Sequence, residues 1–448
     1  MDALKTFFDE LGGYVWGAPL LTLLVGTGIY FTVRLLFLQV TLLPLALKQA
    51  FWPARGNQDD HEGDISHFGA LMTALSATIG TGNIAGVATA IVSGGPGAVF
   101  WMWMSAFFGM ATKYAEGVLA VKYRVVNDKG EMSGGPMYYI ERGLNMKWLA
   151  ILFALFGTIA SFGIGSSVQS NSVAHAIETS FGVNPWITGA VLTIFTAVVI
   201  FGGIQSIAKA SSFIVPLMAI VYVVGGLAII LLHVDKVIPA IEIILKSAFG
   251  IDAVVGGAIG TAIRYGVARG VFSNESGMGS APIAAAAAKT DHPARQALVS
   301  MTGTFLDTIV VCSITGLVIV IGGMYTDGKT GAALTTETFN LLLPGPGGWL
   351  VTFGLIFFAY STILGWCYYG EKCASYLAGE RFVPIYRAIY TLSVLAGAGA
   401  SLDLVWSASD AFNGMMAIPN LIALLLLSGV VIRETRDFLD KRKRGELP

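Results

Sequence analysis

Charge is scarce in this chain. Of 448 residues, 12% are Asp, Glu, Lys or Arg, against the roughly 25% usual in a soluble domain. Hydrophobic residues make up 55%, and the mean hydropathy is +0.71. That balance disfavours a soluble globular enzyme and a disordered or fibrous chain. A cationic surplus is missing too: 27 basic residues face 28 acidic ones, which argues against a nucleic-acid partner. Cysteine is nearly absent. Cys312, Cys367 and Cys373 show neither a disulfide framework nor zinc spacing and read as small apolar residues of helices. Residues 1–13 lack the basic n-region of a cleavable signal sequence and run into a segment too long for an h-region. What abounds is long apolar runs and 55 glycines; membrane helix bundles place small residues where backbones approach closely.

At about 20 apolar residues per crossing, the pattern predicts eleven spans: 15–36, 68–92, 98–121, 148–173, 187–207, 213–232, 253–288, 297–322, 349–369, 385–402 and 408–431. The seventh is too long for one simple crossing. Alternating sides collect 20 Lys and Arg on one side and four on the other. The cation-rich side, which includes Arg55 and the basic run 441–444, is expected to be cytoplasmic, which leaves the N-terminus outside. The expected fold is an all-α polytopic membrane protein.

Two spans are interrupted. The second carries Thr78, Ile79, Gly80, Thr81, Gly82 and Asn83 in its middle. The seventh carries Phe272, Ser273, Asn274, Glu275 and Ser276 followed by Gly277, Met278 and Gly279. Such breaks leave backbone groups unpaired unless they line a cavity. They lie five spans apart, in halves that enter the bilayer from opposite sides, the best sequence pointer to the binding site of a secondary transporter. A half-helix beginning at Thr81, Gly82 and Asn83 offers free N–H groups and a positive dipole end to a carboxylate. The half-helix ending at Ser76–Ile79 offers carbonyls to a hard cation.

Four stretches are then recognisable: GGPGAVFWMWMSAFFG at 94–109, SATIGTGNIAG at 76–86, GGPMYYIE at 134–141 and RGVFSNESGMGSAPIAAAAAKTDHP at 269–293. They resemble the signatures of the sodium:alanine (alanine/glycine:cation) symporter family, and the resemblance covers nearly the whole chain. It implies a leucine-transporter-like fold of two inverted five-helix repeats after one extra N-terminal helix. The divisions are then 1–66, 67–250, 251–432 and a basic tail at 433–448. It implies uptake of alanine or glycine driven by sodium, or sometimes protons. It also implies that Thr81 and Gly82 form the carboxylate turn, that Phe272 is an aromatic lid, and that Ser273, Asn274 and Glu275 line the second break. Sodium would take the carbonyls of Ser76, Ile79 and Phe358 and the hydroxyls of Ser361 and Thr362. The expected function is a sodium-coupled importer of small zwitterionic amino acids, D-alanine among the candidates, in the plasma membrane. A proton-coupled symporter using Asp307 or Glu275 is the alternative.

Ionisable groups at membrane depth are functional hypotheses by default. Asp307 either binds a second cation with Asn83 and Ser273, pairs with Arg264 or Arg269, or relays protons. Glu275 attracts the substrate ammonium or, the favoured reading, bonds freed backbone N–H groups. Lys113 and Glu116, three residues apart, are expected to satisfy each other. Arg269 is a weak candidate for an outer gate with Asp410. Gln169 is a candidate for the substrate amine or side chain, and cannot face inward together with Asn171. Trp366 either walls the cavity or is a packing aromatic. GMYTDGKT at 323–330 matches a P-loop pattern without strand–loop–helix context, so no ATP site is expected, and no catalytic constellation supports an enzyme. Residues 39–52 and 333–343 are expected to be interfacial helices. Oligomeric state is not readable.

Overall fold

The structure is a computed structural model that describes residues 2–52, 61–250, 257–400 and 403–447. Arg55, positions 253–256 of the seventh expected span and the end of the tenth at 401–402 lie outside the described residues.

The protein is 84% helical. A backbone in an apolar medium must satisfy its polar groups within its own segment, which favours helices. Helices α1 (Ala3–Arg34), α2 (Leu43–Phe51), α3 (His67–Thr78), α4 (Gly82–Gly94) and α5 (Ala98–Lys122) come first. A two-residue hairpin follows, β1 (Val125–Val126) with β2 (Met132–Ser133). Next come α6 (Pro136–Leu144), α7 (Lys147–Phe181), α8 (Pro185–Ile200), α9 (Gly203–Leu232) and α10 (Val237–Ala248). The rest is α11 (Gly257–Asn274), α12 (Ala281–Ala285), α13 (Pro293–Gly322), α14 (Gly331–Leu342), α15 (Pro346–Ala378), α16 (Val383–Gly399), α17 (Asp403–Leu426) and α18 (Ser428–Lys443). Helix starts follow local chemistry. Proline occupies the first turn of α6, α8 and α13, where its missing N–H costs nothing. Ser66 Oγ accepts the Gly69 N–H at 3.0 Å and Asn184 Oδ1 that of Trp186 at 2.9 Å, as N-caps do.

Among the described residues seven helical stretches are long and apolar enough to cross a membrane: α1, α7, α9, α13, α15, α16 and α17. The pair α3 and α4, bent by 53°, makes an eighth. The three other expected spans coincide with α5, with the 16-residue α8 and with α11 followed by α12. The stretches 39–52 and 333–343 overlap the helices α2 and α14.

α15 is the central element. Of its most apolar window 72% is buried, against 28% for the peripheral α9. It packs on α3, α7 and α9. Contact with α3 is backbone-close: a Cβ on Gly365 would lie 2.7 Å from both Ala77 N and Ser76 Oγ. Three π-helical segments, Gly82–Gly86, Ser161–Ser167 and Phe305–Cys312, widen α4, α7 and α13. Sequence patterning did not show them; π-bulges concentrate at functional sites.

One end of the bundle is latched by main chain. Asp64 N–H donates to Ala287 O at 2.8 Å, and Lys289 N–H to Ile65 O at 2.8 Å. Arg124, just past the end of α5, donates to the carbonyls of Ala286 (3.1 Å), Ala288 (2.7 Å) and Glu62 (2.7 Å). The segment before α3 is thereby tied to the segment after α12.

Gly365→Val should wedge α15 from α3. Overpacking of this kind costs about 1–3 kcal/mol, so the variant should unfold at lower temperature in detergent. Wild-type melting behaviour would mean that the contact is looser than described.

Candidate functional site

Each broken span is broken by an asparagine that serves its own backbone. In the first, Ile79 leaves the helix (φ −76°, ψ 94°), and the Gly80 N–H donates to Asn83 Oδ1 at 2.9 Å. Side chains of this type compete with helical bonding. In the second, Asn274 Oδ1 accepts the Ser276 N–H at 2.9 Å. Glu275 takes a left-handed conformation (φ 57°), and Gly277 (φ 86°) and Gly279 (φ 85°) complete the turn. A non-glycine residue at positive φ stores strain of the kind found at functional sites.

Adjacent residues of α13 hold both asparagines. Asn83 Nδ2 donates to Asp307 Oδ1 at 2.7 Å, and Asn274 Nδ2 to Thr308 Oγ1 at 3.0 Å. Ser273 Oγ also donates to Asp307 Oδ1, at 3.2 Å. Asn83, Ser273 and Asp307 therefore form one cluster, while Arg264 and Arg269 lie elsewhere, around an outer cavity with Asp410 and Asp9. Cys312 is not merely apolar filling: its sulfur lies 3.3 Å from Asn83 Nδ2 and 3.5 Å from Ser273 Oγ. Thr335 of α14 donates to Ile84 O at 3.1 Å, in the widened turn of α4.

Where the two breaks meet lies a narrow cavity of about 10 Å³, room for roughly one water molecule. The first break contributes Thr78, Gly80, Thr81 and Gly82, and the second Phe272 and Glu275. Ile164 and Gln169 of α7, Thr362 and Trp366 of α15, and Asn413 of α17 complete the wall. Thr81 and Gly82 begin a helix, so their N–H groups have no intrahelical partner. Facing them are two acceptors with none either. Gln169 Oε1 and Asn413 Oδ1 are buried and unbonded, while Gln169 Nε2 is held by Ile164 O at 3.0 Å. Asn171 turns instead to the carbonyls of Gly397 and Ala400. Arg269 stacks 5.6 Å over the Phe272 ring, on the outer-cavity side of it.

Beside this cavity, the hydroxyl of Thr362 lies 2.9 Å from Phe358 O and 3.5 Å from Ile79 O. The Ser361 hydroxyl donates to Phe358 O at 2.9 Å and contacts Met218 Sδ at 3.6 Å. Ser76 Oγ donates to Thr73 O at 2.7 Å, and Ser76 packs against Gly365. Of these oxygens, Ile79 O and the Thr362 hydroxyl meet across the two helices, while the Ser76 and Ser361 hydroxyls bond back within their own helices.

Two expectations are corrected. Lys113 and Glu116 are not spent on one another: Lys113 Nζ donates to Asn274 O at 2.8 Å, and Glu116 Oε1 accepts the Gly279 N–H at 3.0 Å. Those backbone groups are the nearest partners on offer in the break. Glu275 does not bond the freed N–H groups, which Asn274 and Glu116 take; its carboxylate accepts from the Ser280 hydroxyl at 2.6 Å. Ser273 and Asn274 direct their side chains to α13 rather than into the cavity. Asn413 was missed, although an asparagine inside an apolar span is itself a signal.

A helical membrane protein with two interrupted spans that converge on one cavity is built as a transporter. The sequence matches the sodium:alanine symporter family over residues 1–448. It is 61% identical to the sodium/alanine symporter AgcS of Methanococcus maripaludis, over 97% of each chain. It is 39% identical to the probable sodium/glutamine symporter GlnT of Bacillus subtilis, over 97% of this chain and 90% of that one. Among solved structures, MhsT in complex with L-phenylalanine superposes with a TM-score of 0.58 at 14% identity, over 83% of this chain and 98% of that one. That likeness concerns the fold, which is leucine-transporter-like. The chain belongs to the sodium:alanine symporter family; it is a multi-pass membrane transporter and not an enzyme, and sodium is its co-transported ion.

A Cβ added to Gly80 would lie 2.5 Å from Thr362 Oγ1. Gly80→Ala should therefore displace that hydroxyl and raise the sodium concentration for half-maximal alanine uptake by about tenfold, the scale on which misoriented ligands weaken metal sites. An unchanged sodium dependence would separate Gly80 and Thr362 from the ion.

Proposed function

We propose that this protein imports small neutral amino acids, alanine and glycine with D-alanine among them, together with sodium by alternating access. The observation that carries this reading is the polarity of the cavity: unpaired N–H groups of Thr81 and Gly82 on one wall, unpaired Gln169 and Asn413 oxygens on the other. A zwitterion fits that polarity. Its carboxylate takes the helix start, a preferred anion position, and its ammonium takes the amide oxygens and Glu275. Phe272, Ile164 and Trp366 leave little room for a side chain.

Sodium sits on carbonyl oxygens of Ser76, Ile79 and Phe358 and on the hydroxyls of Ser361 and Thr362, all neutral and hard donors suited to it. Bridging α3 and α15, it fixes the end of the broken helix so that the carboxylate site next to it exists. The cluster of Asn83, Ser273 and Asp307 is a second cation position. Each sodium carried with a net-neutral zwitterion moves positive charge inward, worth ~2.3 kcal/mol at 100 mV, or about 50-fold accumulation.

In this reading there are eleven crossings, with α5, α8 and α11–α12 added to the eight. Residues 67–250 and 251–432 are the inverted repeats after the helix of 1–66, and 433–448 is a cytoplasmic tail. The N-terminus is outside and the membrane is the plasma membrane. The Arg124 latch then closes the cytoplasmic side.

Replacing sodium by choline at constant pH should abolish concentrative alanine uptake; undiminished uptake would favour protons. Thr362→Ala should shift the sodium dependence upward. Gln169→Leu should weaken alanine binding, read by calorimetric titration with each enantiomer and with glycine, by about 10-fold or more, the scale of a lost charged hydrogen bond. Wild-type affinity in that variant would remove Gln169 from the ammonium site.

A further inference from the structure

Lys113 and Glu116 lie one turn apart on α5, 3% and 0% exposed. Neither lines the cavity. Ionised groups at such depth cost several kcal/mol unless they are used. Both are directed at the same six residues of the second break. Lys113 Nζ donates to Asn274 O at 2.8 Å, the last carbonyl of α11, where a cation complements the helix dipole. Glu116 Oε1 accepts the Gly279 N–H at 3.0 Å and the amide of Asn420 at 2.6 Å. The same Asn420 amide donates to Gly277 O at 2.9 Å, and Tyr139 OH donates to Asn420 Oδ1. Three main-chain groups between 274 and 279 are thus pinned from α5 and α17. Glu275, which walls the cavity, is held between them.

The second Glu116 oxygen is buried and has no partner. A glutamine would supply the acceptor that Gly279 and Asn420 use, so hydrogen bonding alone does not call for a carboxylate. We propose that Lys113 and Glu116 are positioning residues for transport, which clamp the two loose ends of the second break. The role rests on the transport reading above, because its purpose is to place Phe272 and Glu275 at the substrate.

The test uses full-length purified protein and reads two quantities: sodium-dependent alanine affinity, and hydrogen–deuterium exchange of peptides covering 271–288. Lys113→Met should weaken alanine by about 10- to 100-fold and speed exchange across 271–288. Glu116→Ala should do the same, and Glu116→Gln should recover most of the affinity and protection, with an uptake pH profile like that of wild type. Lys113→Met with Glu116→Gln should bind better than Lys113→Met alone, since one uncompensated charge is removed. Wild-type exchange and affinity in Lys113→Met would overturn the proposal. So would a Glu116→Gln protein that keeps normal exchange yet loses uptake, because Glu116 would then be carrying a proton. Should Lys113→Met not fold, the Glu116 pair decides the matter alone. Failure of the wild type to bind alanine would sink the transport reading instead, while the exchange data would still report on the clamp.

Discussion

The architecture depends on one constraint: a main chain that stops being helical inside an apolar medium must still have every N–H and C=O answered. This protein answers it twice with asparagine and secures both answers to one place. Asp307 and Thr308, consecutive on α13, hold Asn83 and Asn274, whose other ends satisfy the Gly80 and Ser276 N–H groups. The spacing between the breaks is therefore set by a single peptide unit. These residues lie in a π-helical turn, a feature that concentrates at functional sites.

Around that anchor, polar work is divided by charge. The oxygens of Ile79, Phe358, Ser361 and Thr362 are neutral, as are Gln169 and Asn413 in the cavity wall. Charged side chains stand mostly behind the wall: Lys113 and Glu116 on the second break, Asp307 under the asparagines, Arg269 beyond Phe272. Among the described residues only one charged side chain, Glu275, reaches the cavity, and it is restrained by Ser280.

Much of this was legible beforehand because breaks in apolar spans are conspicuous. Glycine and asparagine at 80–83, and asparagine and glutamate at 274–275, announced themselves against alanine and valine. So did Thr362 near Phe358, one turn apart on the same helix face. The partners of buried charges were not legible. Lys113 and Glu116 satisfy the local i,i+3 pattern as well as any helical pair, yet tertiary placement gives each a backbone group across the bundle. The π-turns left no trace in periodicity, since one extra residue per turn is lost in a nearly uniform apolar background. Asn413 was visible as a residue but not as a wall of the cavity, because its rotation about α17 is set by packing.

The Arg124 latch has a different character from the bonds at mid-depth. Its acceptors are the carbonyls of Glu62, Ala286 and Ala288, at a bundle end where Lys289 and Glu62 are within reach of solvent. Asp64 there accepts the Met132 N–H at 2.9 Å, and its burial pushes the carboxyl above the usual carboxylate range. Hydrogen bonds near solvent trade for water at small net cost, whereas those held by Asp307 and Thr308 have nothing to trade for. A rearrangement of this molecule therefore meets little resistance at its rim and a great deal at its waist.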